Sequence, residues 1–151
     1  MTERTPTDDA VLAATTRIMR ALYPTVTTSG GSGSPAHGEA WFEPQAEHVG
    51  APGWVQGGLS ATVLDYFCAR IASAALEMKV ATGTLDIRYR QPVLLDGGPY
   101  RVAGETEQPR SKSVRARGAI LSREGRPLIE ASGLFVGTAL LTTGASEPRA
   151  Y

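Results

Sequence analysis

Residues 56–78 read QGGLSATVLDYFCARIASAALEM. Leu59, Val63, Phe67, Ile71, Ala74 and Met78 recur every three or four positions, the spacing that puts side chains on one helix face. The spacing predicts a helix from Leu59 to about Met78, the longest in the chain. Downstream the period changes to two: Leu85, Ile87 and Tyr89 face inward and Asp86, Arg88 and Arg90 outward, the mark of a half-buried strand. Further strands are expected at 99–108, 113–122 and 127–137. They are separated by the turn signals Asp96-Gly97-Gly98, Gln108-Pro109-Arg110 and Glu124-Gly125-Arg126. Short hairpin-type turns imply antiparallel neighbours. Such a sheet has one face to cover, and one long amphipathic helix is the available cover. The expected fold is therefore α+β, an antiparallel β-sheet wrapped around a long central helix.

Upstream, Thr7 to Tyr23 reads as a first helix, with Asp8 and Asp9 at its start, Arg17 and Arg20 near its end and Pro24 beyond it. Val11, Leu12, Ile18, Met19 and Leu22 make its apolar stripe. Thr25 to Pro35 reads as a loop. Its GGSGS run has neither a strand leading into it nor the GK[ST] ending of a phosphate loop, so it is read as a flexible linker. His37 to Glu43 reads as a strand. The organisation expected is residues 1–36 as N-terminal helix and loop, 37–140 as the folded domain, and 141–151 as a flexible tail.

The chain has 151 residues, 42% hydrophobic and 20% charged, with formal net charge zero. That length is one domain able to bury its own core. Zero net charge gives no electrostatic reason for nucleic acid or an anionic membrane as partner, and opposes self-association little. No stretch approaches about 20 consecutive apolar residues, the length of a membrane helix. The opening MTERTPTDDA lacks the apolar core of a secretory signal. A single cysteine, Cys68, forms no internal disulfide. The expectation is a cytoplasmic protein.

Asp65 stands out. Aspartate is a poor residue for a helix interior, and Asp65 lies about two turns past Gly57-Gly58, too far in for a cap. Its helical neighbours Ala61, Thr62, Cys68 and Ala69 offer no cation to pair with. A carboxylate so placed points either to function or to a solvated polar stripe. Gly57 and Gly58 supply backbone N–H groups at a helix start, which carries roughly half a positive charge. They could form an oxyanion hole, or be a plain Gly-rich turn. Two turns are about 11 Å, so a substrate carbonyl along the first turn is expected to meet Gly58 at one end and Asp65 at the other.

The stretch HVGAPGWVQGGLSATVLDY resembles the signature of hotdog-fold thioesterases of the phenylacetate-pathway (PaaI-like) type, G-x-P-G-x-V-H-G-G-x-x-A-x-x-x-D. TGTLDIRYRQPVLLDG is similar to that family's T-x-x-L-x-I-x-Y-x-x-P-V segment, and VRARGAILSREGRPLIEASGLFV to its last hairpin. The resemblance spans residues 38–137. It implies hydrolysis of acyl-CoA or acyl-carrier thioesters without metal or cofactor. It also implies a homodimer joined edge to edge, or a dimer of dimers, with active sites at the interface. Carried over, the Gly58 amide is the oxyanion donor, Gly57 lines the substrate site, and Asp65 is general base or nucleophile. Thr82, contributed by the partner chain, helps position the attacking group. The family's His-Gly-Gly is Gln56-Gly57-Gly58 here. Glutamine takes up no proton but can donate from its amide. Gln56 is thus either a polar positioner in a working thioesterase or the sign of a non-catalytic acyl-thioester-binding protein. A dehydratase would need a close Asp–His pair, which this sequence lacks.

Three other groups remain. Cys68 sits one turn from Asp65, where a small core residue is expected rather than a nucleophile. His37 and His48 lack partners at metal-ligand spacing; His48 is a candidate substrate contact or a solvent-facing loop residue. Arg110, Lys112, Arg115 and Arg117 could meet the phosphates of coenzyme A, with Arg110 and Lys112 foremost, or form an ordinary charged strand face.

Overall fold

The computed structural model describes residues 6–140, so the tail expected at 141–151 lies outside the described residues. The elements are α1 (Pro6–Ala21), β1 (Thr27–Gly30), β2 (Ala36–Phe42), a 3-10 turn at Ala46–His48, α2 (Gly57–Leu76), β3 (Met78–Tyr89), β4 (Tyr100–Thr106), β5 (Ser113–Leu121) and β6 (Pro127–Leu140). All strands join one six-stranded sheet in the order β1-β2-β4-β5-β6-β3. Every pairing is antiparallel. The sheet curls around α2, as the periodicities predict.

Alternation places the core. On β2, Ala36, Gly38, Ala40 and Phe42 are buried while His37, Glu39 and Trp41 face solvent. Val114, Ala116 and Ile120 of β5 and Ile129, Ala131 and Phe135 of β6 turn the same way. They meet Val63, Leu64, Phe67, Cys68, Ile71, Ala72 and Ala75 of α2. The Phe67 ring sinks into the sheet because the strands beneath it carry glycine. A Cβ on Gly104 or Gly118 would come within 2.8 or 2.9 Å of that ring.

The structure departs from the sequence reading in several places. Residues 25–35 are not a linker. Thr27–Gly30 pair with Gly38 and its neighbours as edge strand β1. The Gly-rich turn after it closes on the end of α2: the Ser32 and Gly33 amides donate to the carbonyls of Ala74 and Ala75, at 3.0 and 2.8 Å. A helix end leaves such carbonyls unpaired, and this turn satisfies them. Gly31, at φ 97, lies so close that a Cβ there would be 2.5 Å from the Ala74 oxygen. Glu77, left-handed at φ 53, ends the helix, so Met78 starts β3 instead of completing the stripe. Of the stripe expected on α1, Leu22 is buried, Ile18 half-buried and Met19 exposed.

Asp96-Gly97-Gly98 does not join neighbouring strands. The connection over residues 90–99 carries the chain from one sheet edge to the interior and pairs on the way with the loop before α2: the Val55 amide donates to Val93 and the Leu95 amide to Gly53. Contrary to the composition reading, among the described residues α2 alone is long and apolar enough to cross a membrane. Its apolar face is instead the centre of the core. Strand β3 pairs with β6 on one side, and among the described residues nothing pairs with its other edge.

Candidate active site

Helix α2 begins with a capped turn. Gln56 has extended backbone (φ −61, ψ 131), and its side-chain oxygen accepts from the Leu59 N–H at 3.0 Å. Its main-chain oxygen takes the N–H groups of Leu59 and Ser60, and its own N–H donates to the His48 carbonyl at 2.8 Å. The Gly57 and Gly58 N–H groups are left without an acceptor among the described residues. Two free donors thus point out of a helix N-terminus, where the peptide dipoles favour negative charge. Absence of side chains keeps the approach open. A Cβ on Gly57 would be 3.2 Å from the Tyr89 ring, and one on Gly58 3.0 Å from Gln56 Oε1. The Tyr89 hydroxyl donates to the Gly57 carbonyl at 2.8 Å.

Asp65 lies on the same face of α2 as Gly58, since seven residues are nearly two whole turns. The Thr82 hydroxyl donates to Asp65 Oδ1 at 2.8 Å. The two come from one chain, not from two as the resemblance implied, because β3 returns antiparallel along α2 after the tight turn at Glu77. Half-buried Asp65 has a fixed orientation but no cationic partner among the described residues. Its charge is felt next door. Burial, and secondarily the Asp65 carboxylate, push the Cys68 thiol up to about 12. A thiol so shifted stays protonated at neutral pH, so Cys68 is a packing residue.

Within one chain the two groups do not meet a single carbonyl. Gly58 and Asp65 are about 10.5 Å apart along the helix axis. The carboxylate is tied sideways to Thr82 instead of reaching back toward the helix start. The supporting residues diverge further: Thr82 and Tyr89 stand about 23 Å apart along β3 at strand rise. The site therefore has two halves along β3, Asp65–Thr82 near its middle and Gly57-Gly58 with Gln56 and Tyr89 at its end.

The remaining candidates fall differently. His48 is fully buried, its Nδ1 accepting from the Gln45 N–H at 2.9 Å and its Nε2 3.0 Å from the Ile18 carbonyl. Both ring nitrogens are thus spent tying α1 to the 3-10 turn, so His48 neither faces solvent nor reaches substrate. Arg110 and Lys112 are exposed in the turn between β4 and β5, and no hydrogen bond or ion pair engages their side chains among the described residues. Ser113 beside them pairs with Val136, which pairs with Ala81. The turn thus lies about two strand spacings, some 10 Å, from the Thr82 end. Arg117 instead pairs with Glu105, lowering the Glu105 carboxyl and raising its own guanidinium. Sequence reasoning missed Tyr89, which ends β3 as the expected inward residue but is 53% exposed. An aromatic closing an apolar alternation carries no signal for a hydroxyl contact 32 residues upstream.

No family model matches the chain, and no curated protein does. Solved structures do. The chain is similar to yhdA of Lactococcus lactis, assigned as a thioesterase, at TM-score 0.70 and 10% identity, over 81% of this chain and 98% of that one. It is similar to RHA08564, a thioesterase superfamily protein, at TM-score 0.59 and 27% identity, over 75% of this chain and 56% of that one. A thioesterase-type protein of Streptococcus pneumoniae, solved with coenzyme A, matches at TM-score 0.60 and 14% identity, over 78% of this chain and 89% of that one. With its six-stranded antiparallel sheet around one long helix, this chain is a hotdog-fold protein, built on the architecture of these thioesterase-superfamily structures.

Proposed function

We propose that this protein hydrolyses acyl thioesters, RCO–SR′ plus water giving acid and thiol. The observation that carries the reading is a fixed carboxylate, Asp65 held by Thr82, on the same helix face as two unpaired amides at the helix start. Amides so placed stabilise the oxygen of a tetrahedral intermediate, and a carboxylate activates the attacking water. Coenzyme A bound to a structural relative supports acyl-CoA as the substrate class. The free cations Arg110 and Lys112, near the Asp65 end, suit its phosphates.

The two halves meet across a dimer. The open edge of β3 is a template for a second copy of the chain. In an antiparallel β3–β3 pair centred midway between Thr82 and Tyr89, Thr82 of one protomer stands beside Tyr89 of its partner. Asp65 of one protomer then faces the helix start of the other, and a symmetric dimer holds two such sites. The enzyme works in the cytoplasm as this homodimer or a pair of them.

The test is a panel of acyl-CoAs assayed with a thiol reagent, wild type against Asp65→Asn. Loss of the carboxylate is expected to lower kcat about 10²- to 10⁴-fold. Undiminished hydrolysis would sink the assignment. One observation favours a second reading, an acyl-thioester-binding protein without turnover: the Gln56 amide oxygen is occupied as a helix cap, and glutamine takes up no proton as the family's histidine would. That reading predicts ligand binding with negligible hydrolysis in wild type and a large gain in Gln56→His.

A further inference from the structure

The first turn of α2 ties its peptide planes unequally. The Gln56–Gly57 plane is anchored at its carbonyl, which accepts from Leu59 and Ser60. The Gly58–Leu59 plane is anchored at both ends: its carbonyl accepts from the Thr62 hydroxyl at 3.0 Å, and its N–H donates to Gln56 Oε1 at 3.0 Å. The plane between them, Gly57–Gly58, carries the free Gly58 N–H. It joins two residues without side chains, the backbone pair with the widest rotational freedom. Beyond the helix's own bond from the Ala61 N–H to the Gly57 carbonyl, it has one anchor, the Tyr89 hydroxyl on that same carbonyl at 2.8 Å.

We propose that Tyr89 is a positioning residue for the Gly58 amide. Carbonyl and N–H belong to one rigid trans peptide and point in opposite directions, so fixing the oxygen fixes the line along which the N–H points. A hydrogen bond accepted by the oxygen also polarises the amide and strengthens its N–H as a donor. The ring completes the device. It lies 3.2–3.4 Å from where a Gly57 side chain would begin, so glycine at 57 is what lets the phenol reach over the helix start. Tyr89 is held in turn by β6, through its pairing with Ile129 and the Arg90 N–H bond to Leu128 at 2.9 Å. The half-exposed aromatic thereby couples the sheet to the oxyanion donor while touching no reacting atom.

The kinetic part of this proposal rests on the thioesterase reading; its spectroscopic part does not. In Tyr89→Phe the ring stays and the hydroxyl goes. Without any substrate, the Gly58 amide resonance is expected to move to lower ¹⁵N frequency, with Gly137 as an unaffected reference. With an acyl-CoA, kcat is expected to fall about two- to tenfold at nearly constant KM. Fluorotyrosines placed at position 89 provide a second series, in which a more acidic phenol is a stronger donor and should raise kcat stepwise. A mere packing role would leave the Gly58 resonance in place and the fluorotyrosine series flat, and either result overturns the proposal. Absence of hydrolysis in wild type would overturn the thioesterase reading alone, with the amide shift still deciding Tyr89.

Discussion

If each active site takes its oxyanion donor from one protomer and its carboxylate from the other, two inactive variants should repair one another. Take Asp65→Asn, which removes the carboxylate, and Gly58→Val, which covers the free amide. The new Cβ meets only the far end of the Gln56 side chain, at 3.0 Å, so the fold can adjust around it. A donor and an attacking group serving one carbonyl must lie within about 7 Å of each other, from typical hydrogen-bond and near-attack distances. Along α2 they are separated by about 10.5 Å, with Asp65 bound sideways to Thr82. In a mixed dimer, one site combines both defects. The other combines wild-type Asp65 with wild-type Gly58. Random pairing makes about half of the dimers mixed, each with one good site of two, so a 1:1 mixture should recover roughly a quarter of wild-type activity. Differently tagged variants, refolded together, can be purified through both tags and assayed with an acyl-CoA and a thiol reagent. Mixed dimers that stay as inactive as their parents would refute the reasoning and put the whole site within one chain.

Two further outcomes follow from the surroundings of α2. Gln56→Ala removes a side-chain cap, which costs about 0.5–2 kcal/mol, so Tm should fall by a few degrees in calorimetry. Gln56→Glu, which keeps a capping oxygen but donates nothing, should retain Tm and separate the cap from any catalytic use of the amide. For Cys68, burial pushes the folded thiol up to about 12 from an ordinary 9.0, so stability is full below pH 9 and declines as pH rises toward 12. Denaturant titrations between pH 8 and 10.5 should show a shallower decline in Cys68→Ala than in wild type. Alkylation of Cys68 in the native protein at pH 8 would contradict its burial.

The architecture was legible where a period was long and its two faces chemically distinct. More than four turns of apolar spacing in α2, and alternation along β5 and β6, leave little choice of what faces the core. The signal failed where backbone, not side chain, carries the interaction. β1 is four exposed residues held by main-chain bonds to β2, with no apolar face to announce it. The Gly-Ser turn looked like a linker because its contribution is amide groups on the last carbonyls of α2, which any flexible composition could hide. His48 shows the reverse error, since a histidine in a loop reads as available until both ring nitrogens prove to be bonded inside.

The candidate site divides along the same line. Asp65 was conspicuous because a charge interrupts an apolar pattern, and Gly57-Gly58 because glycine before a helix is a recognisable break. Their partners were obscure, since which strand returns along α2 is decided by topology. That strand is β3, which does more than supply an edge. Thr82 orients the carboxylate near the strand's middle, and Tyr89 holds the free amide's peptide at its end. Both contacts reach from one strand to one helix, so sliding β3 along α2 would misaim the carboxylate and the free amide together. The bonds between β3 and β6 run from Met78 to Tyr89, with irregularities at Lys79/Val80 and Thr82/Thr84. The second brackets the residue after Thr82, where an extra backbone position turns that strand locally.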